Sequence, residues 1–578
     1  MPSQTAPSPH ATRLANDDSS AGAAEMVLEA YERWLERFRG VTRRSRPRFL
    51  NREWRGWQED AAERLDLYPT AVADVVERLR GARIDGERAR DRFAAMTGGR
   101  GDAEIAETFY SSVMRRVLPI AGVDPAAEFT AAADGAPHVA ETEPAHRACG
   151  AIDLSAETFA ELFRATEVAD RFADLAGDAA ACARAAREQL GADAERVAGA
   201  DALPFLFYRN KAAYLVARLR LHGGEVRPLV VPLLNGEGGV RPDAVLTTPD
   251  EVHVVFSFAR SYFHADTDRP AAAIEFLRSL MPAKPLHELY TSLGHNKHGK
   301  TELYRELVRQ LSRGDVRFEP AEGIRGLVMC VFTLPEHNVV FKVIRDEFGA
   351  SKTVTHDSVR EKYRLVFRMD RVGRLVDAQE FEDLTFPRDR FAPAVLEELR
   401  ADAAGAIRDN GRHVVVRHLY TERKLRPLDL FCRESEPDVA AAAIVDYGNA
   451  IKDLACANIF PGDLLMKNFG VSRHGRVIFY DYDELSLLTA VRFRALPTAR
   501  HEDDEMAAEP WFSVSEGDVF PEEFVPFLVP AGPLRDVFMD AHGDLFTPSF
   551  WQEMQERQKA GEVPDFYPYP AARRLGLR

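Results

Sequence analysis

The sequence predicts an α+β protein in two parts, a mostly helical N-terminal domain followed by a two-lobed domain of strands and then helix. Three observations predict it. At 578 residues the chain is too long for one core. From about residue 24, apolar side chains recur at three- and four-residue intervals. After about residue 313, short apolar runs take over, followed by a long helical stretch, a polar loop and another short run.

Residues 1–22, rich in Pro, Ser, Thr and Ala, read as a disordered tail. In "EMVLEAYERWLERF", Val27, Leu28, Tyr31, Trp34, Leu35 and Phe38 form one apolar stripe. "TAVADVVERLRGARI" and "EIAETFYSSVMRRVL" repeat that period, and the Ala-rich region 155–220 also reads as helix. At 224–262, "EVRPLVVPLL" and "DAVLTTPDEVHVVFSF" carry β-branched runs broken by Asn-Gly and Pro, which predict a few strands. Helix returns at 270–312. The change of character sets a boundary near 313–317, giving a helical domain at 23–314 and a second domain at 315–578. There, "RGLVMCVFTL" and "NVVFKVIRD" predict a hairpin, and "HVVVRHLY" and "GRVIFYDYD" further strands. Between those last two, "EPDVAAAAIVDYGNAIKDLACANIF" predicts a helix with Ser435 as its N-cap.

The bulk properties exclude several classes. A net charge of -16 and a pI near 5.6 argue against a nucleic-acid binder, which needs clustered Lys and Arg. Five scattered cysteines without CxxC spacing suggest a reducing cytoplasm rather than a disulfide framework. The N-terminal stretch has no apolar core of a secretory signal, and no apolar run is long enough to suggest a membrane span.

Residues 294–301, "GHNKHGKT", match the G-x-x-x-x-G-K-[ST] pattern of a phosphate-binding loop. That motif needs a buried strand before it. Here Leu286, Leu289, Tyr290 and Leu293 have helical spacing, and residues 302–400 lack the βα alternation of such a fold. The better reading is a helix ending at Gly294, followed by a basic turn.

A second constellation carries chemistry. Phosphoryl transfer from ATP needs phosphates held, metal placed and a hydroxyl oriented. Lys342 lies in the strand candidate "VVFKVI". Asp463 and Asn468 are five residues apart in "FPGDLLMKNFGV", and Asp481 ends "RVIFY" thirteen residues further on. Alone, Lys342 reads as an edge-strand lysine, and a lone D-x4-N occurs often by chance. The full ordered set points to a two-lobed protein-kinase-like domain. Gly323 and Gly326 replace the usual glycine pattern, with Arg325 between them as a further phosphate ligand. Pro461-Gly462 stand where His-Arg normally precede the catalytic aspartate. "DYD" replaces D-F-G, adding Asp483 as a carboxylate near the metal.

Longer blocks sharpen this. "GIRGLVMCVFTLP", "FKVIRDEF", "DRVGRLVDAQEFE", "ANIFPGDLLMKNFGVSRHGRVIFYDYDE" and "AEPWFSVSEGDVFPEEF" resemble the bacterial isocitrate dehydrogenase kinase/phosphatase family. "EIAETFYSSV", "LFYRNKAAYLV" and "FARSYF" extend the resemblance through the first half. It implies a bifunctional cytoplasmic enzyme with a mostly helical, AMP-responsive regulatory domain. Such an enzyme uses ATP and Mg²⁺ to phosphorylate a serine of NADP-dependent isocitrate dehydrogenase, and also removes that phosphate, with AMP or ADP promoting the removal. The balance controls flux between the citric acid cycle and the glyoxylate bypass. Carried onto this chain, the resemblance assigns the nucleotide loop to Ala321, Glu322, Gly323, Ile324, Arg325, Gly326 and Leu327, and the phosphate lysine to Lys342. The kinase base falls on Asp463, the metal ligands on Asn468 and Asp481, and the phosphatase aspartate on Asp377, where a carboxylate could orient water. Segment 508–524 is implied to engage the dehydrogenase. Its Trp511, Phe512, Phe520 and Phe524 suit a protein contact or core packing equally well. Neither the acidic partner of Lys342, the AMP contacts nor the oligomeric state follows from the sequence, and a homodimer stays open. A small-molecule kinase of the aminoglycoside or choline type, or a pseudokinase scaffold, are the alternatives.

Overall fold

The structure is a computed structural model that describes residues 9–119, 122–130, 145–149, 153–257, 263–314, 316–323, 325–335, 337–349, 354–369, 371–498, 512–529 and 531–577. The first helix spans Pro9–Arg43, so helix covers most of the segment expected to be a disordered tail. It packs on Trp54–Arg78, Gly86–Thr97 and Ala103–Val117. The stripe predicted from residue 27 onward supplies this core: Val27, Tyr31, Trp34 and Phe38 are buried against Tyr68, Phe93, Phe109 and Tyr110.

A six-stranded antiparallel sheet follows. Arg147–Cys149, Val197–Ala202, Ala212–Leu221, Val226–Gly236 and Gly239–Pro242 pair in that order, and Phe207–Arg209 pairs with the third of them. Two expectations need correction here. Residues 197–221 carry three strands, Val197–Ala202, Phe207–Arg209 and Ala212–Leu221, in place of helix. The Ala212–Leu221 strand is buried on both faces, beneath Ala156–Arg164 and Leu175–Leu190 on one side and Pro270–Leu280 on the other. A strand covered on both faces shows no polar alternation, so its Ala-rich run imitates helix. Conversely, "PDEVHVV", expected as strand, is the helix Pro249–Val255. Pro249 opens it and Thr248 Oγ1 accepts from the Glu251 N–H at 3.3 Å, a capped start that outweighs the β-branched composition.

In "GHNKHGKT" the preceding helix ends before Gly294 as expected, but the basic stretch after it is the start of a helix and not a turn. Helices Leu286–Ser292 and Asn296–Arg313 flank Gly294, and Lys300 and Thr301 lie inside the second helix. A Cβ on Gly299 would come within 2.6 Å of the His287 carbonyl oxygen, so this glycine serves helix packing. Lys300 rests over the Phe381 ring at 4.9 Å.

The second domain opens with a mainly antiparallel sheet in the order Gln379–Pro387, His413–Arg423, Val339–Ile344, Met329–Thr333, Glu319–Pro320. Its core is aromatic, with Phe318, Phe332, Phe341, Phe386 and Phe391 in mutual contact. Helix His356–Met369 lies between the lysine strand and Gln379–Pro387 in the chain. The second lobe is built on Pro437–Cys456, with Pro533–His542 and Pro548–Lys559 packed against it. The N-cap of Pro437–Cys456 is Glu436, and Ser435 instead ends the preceding helix Leu428–Glu434. The chain end returns to the first domain. Arg574 pairs with buried Asp243 at 2.8 Å, and the Tyr569 hydroxyl donates to the same carboxylate at 2.9 Å. Among the described residues no helix is long and apolar enough to cross a membrane.

Candidate active site

The two lobes of the second domain enclose a cavity of about 1270 Å³. Lys342, Asp463, Asn468, Asp481 and Asp483 all line it, together with residues 321–323 and 325–328. The structure therefore gathers the spaced residues into one place. Ile324 lies outside the described residues.

Lys342 sits in the middle of Val339–Ile344, opposite Tyr420 of the neighbouring strand. Two residues further along that strand, on the same face, is Glu422. Its carboxylate meets the lysine at 2.8 Å, and Lys342 Nζ also donates to the Tyr480 carbonyl at 2.9 Å. The other Glu422 oxygen accepts from the Tyr363 hydroxyl at 3.1 Å. Burial pushes the Glu422 carboxyl up, against the opposing pull of Lys342 and Tyr363. Ordinary kinases take this glutamate from a helix. Here the helix His356–Met369 contributes Tyr363, which steadies a glutamate supplied by a strand. Sequence reasoning missed Glu422, because only strand register brings it beside Lys342.

The nucleotide loop is held from outside. Arg325 bonds Glu398 at 3.0 Å and Asp402 at 2.6 Å, both on helix Pro393–Asp402. Arg345, buried where Arg325 is exposed, pairs with Glu398 at 2.6 Å and donates to the Gly326 carbonyl at 3.1 Å. The Arg325 guanidinium, read as a further phosphate ligand, lines the cavity and is engaged here with these two carboxylates. Cys330, Glu398 and Asp402 converge as metal ligands would, but the two guanidinium groups occupy those carboxylates.

The catalytic loop follows the short strand Ile459–Phe460. Gly462 has φ +79°, and a Cβ there would lie 2.5 Å from the Glu484 carbonyl oxygen. The backbone of the 481–484 segment passes too close for a side chain, which explains glycine where arginine is usual. Asp463 Oδ1 accepts from the Leu465 N–H at 3.0 Å, which fixes the carboxylate. Asn468 Nδ2 donates to the Asp463 carbonyl at 3.3 Å, which makes its amide oxygen the candidate ligand atom. Asp481 follows the strand Val477–Phe479, which pairs with Phe469–Val471. With Asp481 and Asp483 in the same cavity, the donors are hard oxygens, the set that suits magnesium.

Asp377 lies elsewhere. It faces an adjoining cavity of about 250 Å³ between the two domains, lined also by Lys284, Glu288, Thr421 and Arg423. Glu422 and Arg423 border both cavities. Gln379 Nε2 donates to Asp377 Oδ2 at 2.9 Å. Beside it, burial pulls the Lys284 ammonium down to about 8, while Glu288 holds it up. Of the 508–524 segment, 508–511, including Trp511, lie outside the described residues. Phe512 packs on Phe520 at 5.3 Å and Phe524 approaches Trp551 at 6.0 Å, so these rings meet their own chain.

Comparison with known proteins agrees over nearly the whole chain. The family model described as isocitrate dehydrogenase kinase/phosphatase (AceK) kinase domain matches residues 316–571, and the regulatory-domain model of the same family matches 24–315. The chain is 48% identical to an isocitrate dehydrogenase kinase/phosphatase of Anaeromyxobacter dehalogenans strain 2CP-C, covering 96% of this chain and 97% of the relative. A protein of the same name from Anaeromyxobacter sp. strain Fw109-5 is 48% identical over 97% of this chain and 98% of its own. One from Xanthomonas euvesicatoria pv. vesicatoria strain 85-10 is 42% identical, covering 96% and 97%.

Proposed function

This chain belongs to the isocitrate dehydrogenase kinase/phosphatase family, and on that premise we propose how its residues divide the two reactions. The protein phosphorylates and dephosphorylates a serine of NADP-dependent isocitrate dehydrogenase, and so sets flux between the citric acid cycle and the glyoxylate bypass. The observation that carries the assignment of residues is the common cavity of Lys342, Asp463, Asn468 and Asp481.

In the kinase direction, Lys342 holds the α- and β-phosphates of ATP and Glu422 keeps its ammonium in place. The substrate serine oxygen attacks the γ-phosphorus, the bond to the bridging oxygen breaks, and ADP leaves. Asp463 accepts the serine proton. Asn468 and Asp481 would hold a magnesium ion, which would supply charge neutralisation on the phosphates. In the phosphatase direction, a water oxygen attacks the phosphoserine phosphorus. The bond to the serine oxygen breaks, that oxygen takes up a proton, and inorganic phosphate leaves. Asp377 is the carboxylate that orients this water and accepts its proton. We assign AMP and ADP to promoting this direction, and segment 508–524 to engaging the dehydrogenase.

Transfer of labelled γ-phosphate from Mg-ATP to a bacterial isocitrate dehydrogenase tests the reading. Labelling should accompany loss of dehydrogenase activity, and added AMP or ADP should restore it. A dehydrogenase left unlabelled and fully active would overturn it.

A further inference from the structure

Tyr482 stands between the carboxylates Asp481 and Asp483 and is fully buried. Its ring is fixed by neighbours, with Tyr363 at 5.2 Å edge-on and Phe479 at 5.9 Å. Its hydroxyl donates to the Val376 carbonyl at 2.8 Å. That carbonyl belongs to the peptide joining Val376 to Asp377.

The stretch before Asp377 is already fastened on its other side. The Val376 N–H donates to the Phe479 carbonyl at 3.0 Å, and the Phe479 N–H donates to the Arg374 carbonyl at 2.8 Å. Arg374 is buried and pairs with Asp446 at 2.7 Å and Asp453 at 2.8 Å. Residues 374–376 are therefore laid along the strand that delivers Asp481. The Tyr482 hydroxyl closes the arrangement at the point where the chain turns towards the adjoining cavity. Without it, a buried carbonyl loses its donor and the 376–377 peptide plane is free to tilt.

We propose that Tyr482 is a positioning residue for dephosphorylation, its hydroxyl holding Asp377 in register with Asp481 and Asp483. This rests on the role given above to Asp377. A water-orienting carboxylate displaced by about 1 Å loses on the order of a hundredfold in rate. The kinase direction does not use Asp377 and depends on the ring of Tyr482, not on its hydroxyl.

The test measures both activities of the full chain, with isocitrate dehydrogenase and its phosphorylated form as substrates. In Tyr482→Phe, phosphatase kcat should fall at least about tenfold more than kinase kcat, with KM for the phosphorylated dehydrogenase little moved. Tyr363→Phe removes a hydroxyl from the same aromatic cluster, but from Glu422, and should lower both activities together. A Tyr482→Phe variant that does not accumulate is replaced by para-aminophenylalanine at 482, whose weaker donor should still give a selective fall. Equal loss of both activities, or an intact phosphatase, overturns the proposal. Asp377→Asn separates the two failures. A phosphatase that survives it overturns the role of Asp377, and one lost there but intact in Tyr482→Phe overturns the tether alone.

Discussion

Lys342 and Glu422 meet at 2.8 Å across neighbouring strands, and Glu422 in turn holds the hydroxyl of Tyr363 at 3.1 Å. The lysine is thereby locked to the sheet itself, and the helix His356–Met369 reaches the pair through the Tyr363 hydroxyl. A glutamate on a moving helix lets a kinase switch by helix position. A glutamate on the adjacent strand keeps the pair assembled, which fits a cavity used in two directions.

Glu422→Gln tests this directly. It keeps the shape and removes the charge. A charge-assisted hydrogen bond is worth about 1.5–3 kcal/mol, so nucleotide affinity should fall about ten- to a hundredfold. Both activities should suffer alike. Titration with an ATP analogue and the two activity assays check it, and unchanged nucleotide affinity would show that Lys342 does not need this partner.

Gly462→Ala should be disproportionately harmful for so small a change. The position has φ +79°, and the added carbon would meet the Glu484 carbonyl oxygen at 2.5 Å. The left-handed backbone alone costs a non-glycine residue about 1 kcal/mol, and the collision must push the catalytic loop off the 481–484 segment. We expect a lower melting temperature and loss of kinase activity with Asp463 intact. A variant as stable and active as the parent would mean that the two segments separate freely.

These two glutamate and glycine contacts mark the limit of what the sequence shows. Asp463, Asn468 and Asp481 were legible because one loop and one short hairpin, Phe469–Val471 with Val477–Phe479, carry all three, so local spacing sets their geometry. Lys342 alone read as an edge-strand lysine, and only its place ahead of that ordered set made it legible. Glu422 was not, because its place depends on the register between strands separated in the chain by two helices and two further strands. Residues 197–221 were misread for a related reason, since a strand covered on both faces loses its alternation. Asp377 came from resemblance alone. Nothing in "GRLVDAQEF" reveals that it faces the adjoining cavity, since Arg374 and Tyr482, which aim it, act through tertiary contacts.

The nucleotide loop offers a contrast between two arginines. Arg325 is exposed and spends its guanidinium on Glu398 and Asp402. Surface pairs of this kind contribute at most about 1 kcal/mol, so Arg325→Ala should change KM for ATP by less than about fivefold. Arg345 is buried and donates to the Gly326 carbonyl while holding both carboxylates. Arg345→Ala removes the donor to the Gly326 carbonyl and leaves the half-buried Glu398 and Asp402 to Arg325 alone, and should raise KM for ATP by more than about tenfold. Steady-state kinetics at varied ATP decide it, and a larger effect from Arg325 would return that residue to the phosphates.

In the first domain, Glu104 is buried beside Tyr290, whose hydroxyl donates to it. Burial raises its carboxyl to about 7, with the tyrosine pulling the other way. A carboxyl raised on folding binds more protons in the folded state than in the unfolded one between about pH 4.5 and 7. Stability therefore falls as pH rises through that window, and the loss is complete above it. Glu104→Gln keeps an acceptor for Tyr290 and removes the charge. It should stabilise the protein at pH 8 by on the order of 2 kcal/mol, with the gain shrinking towards pH 4.5. Urea titrations at both pH values measure the difference. A gain that is equal at the two pH values would place the effect in packing rather than in the buried charge.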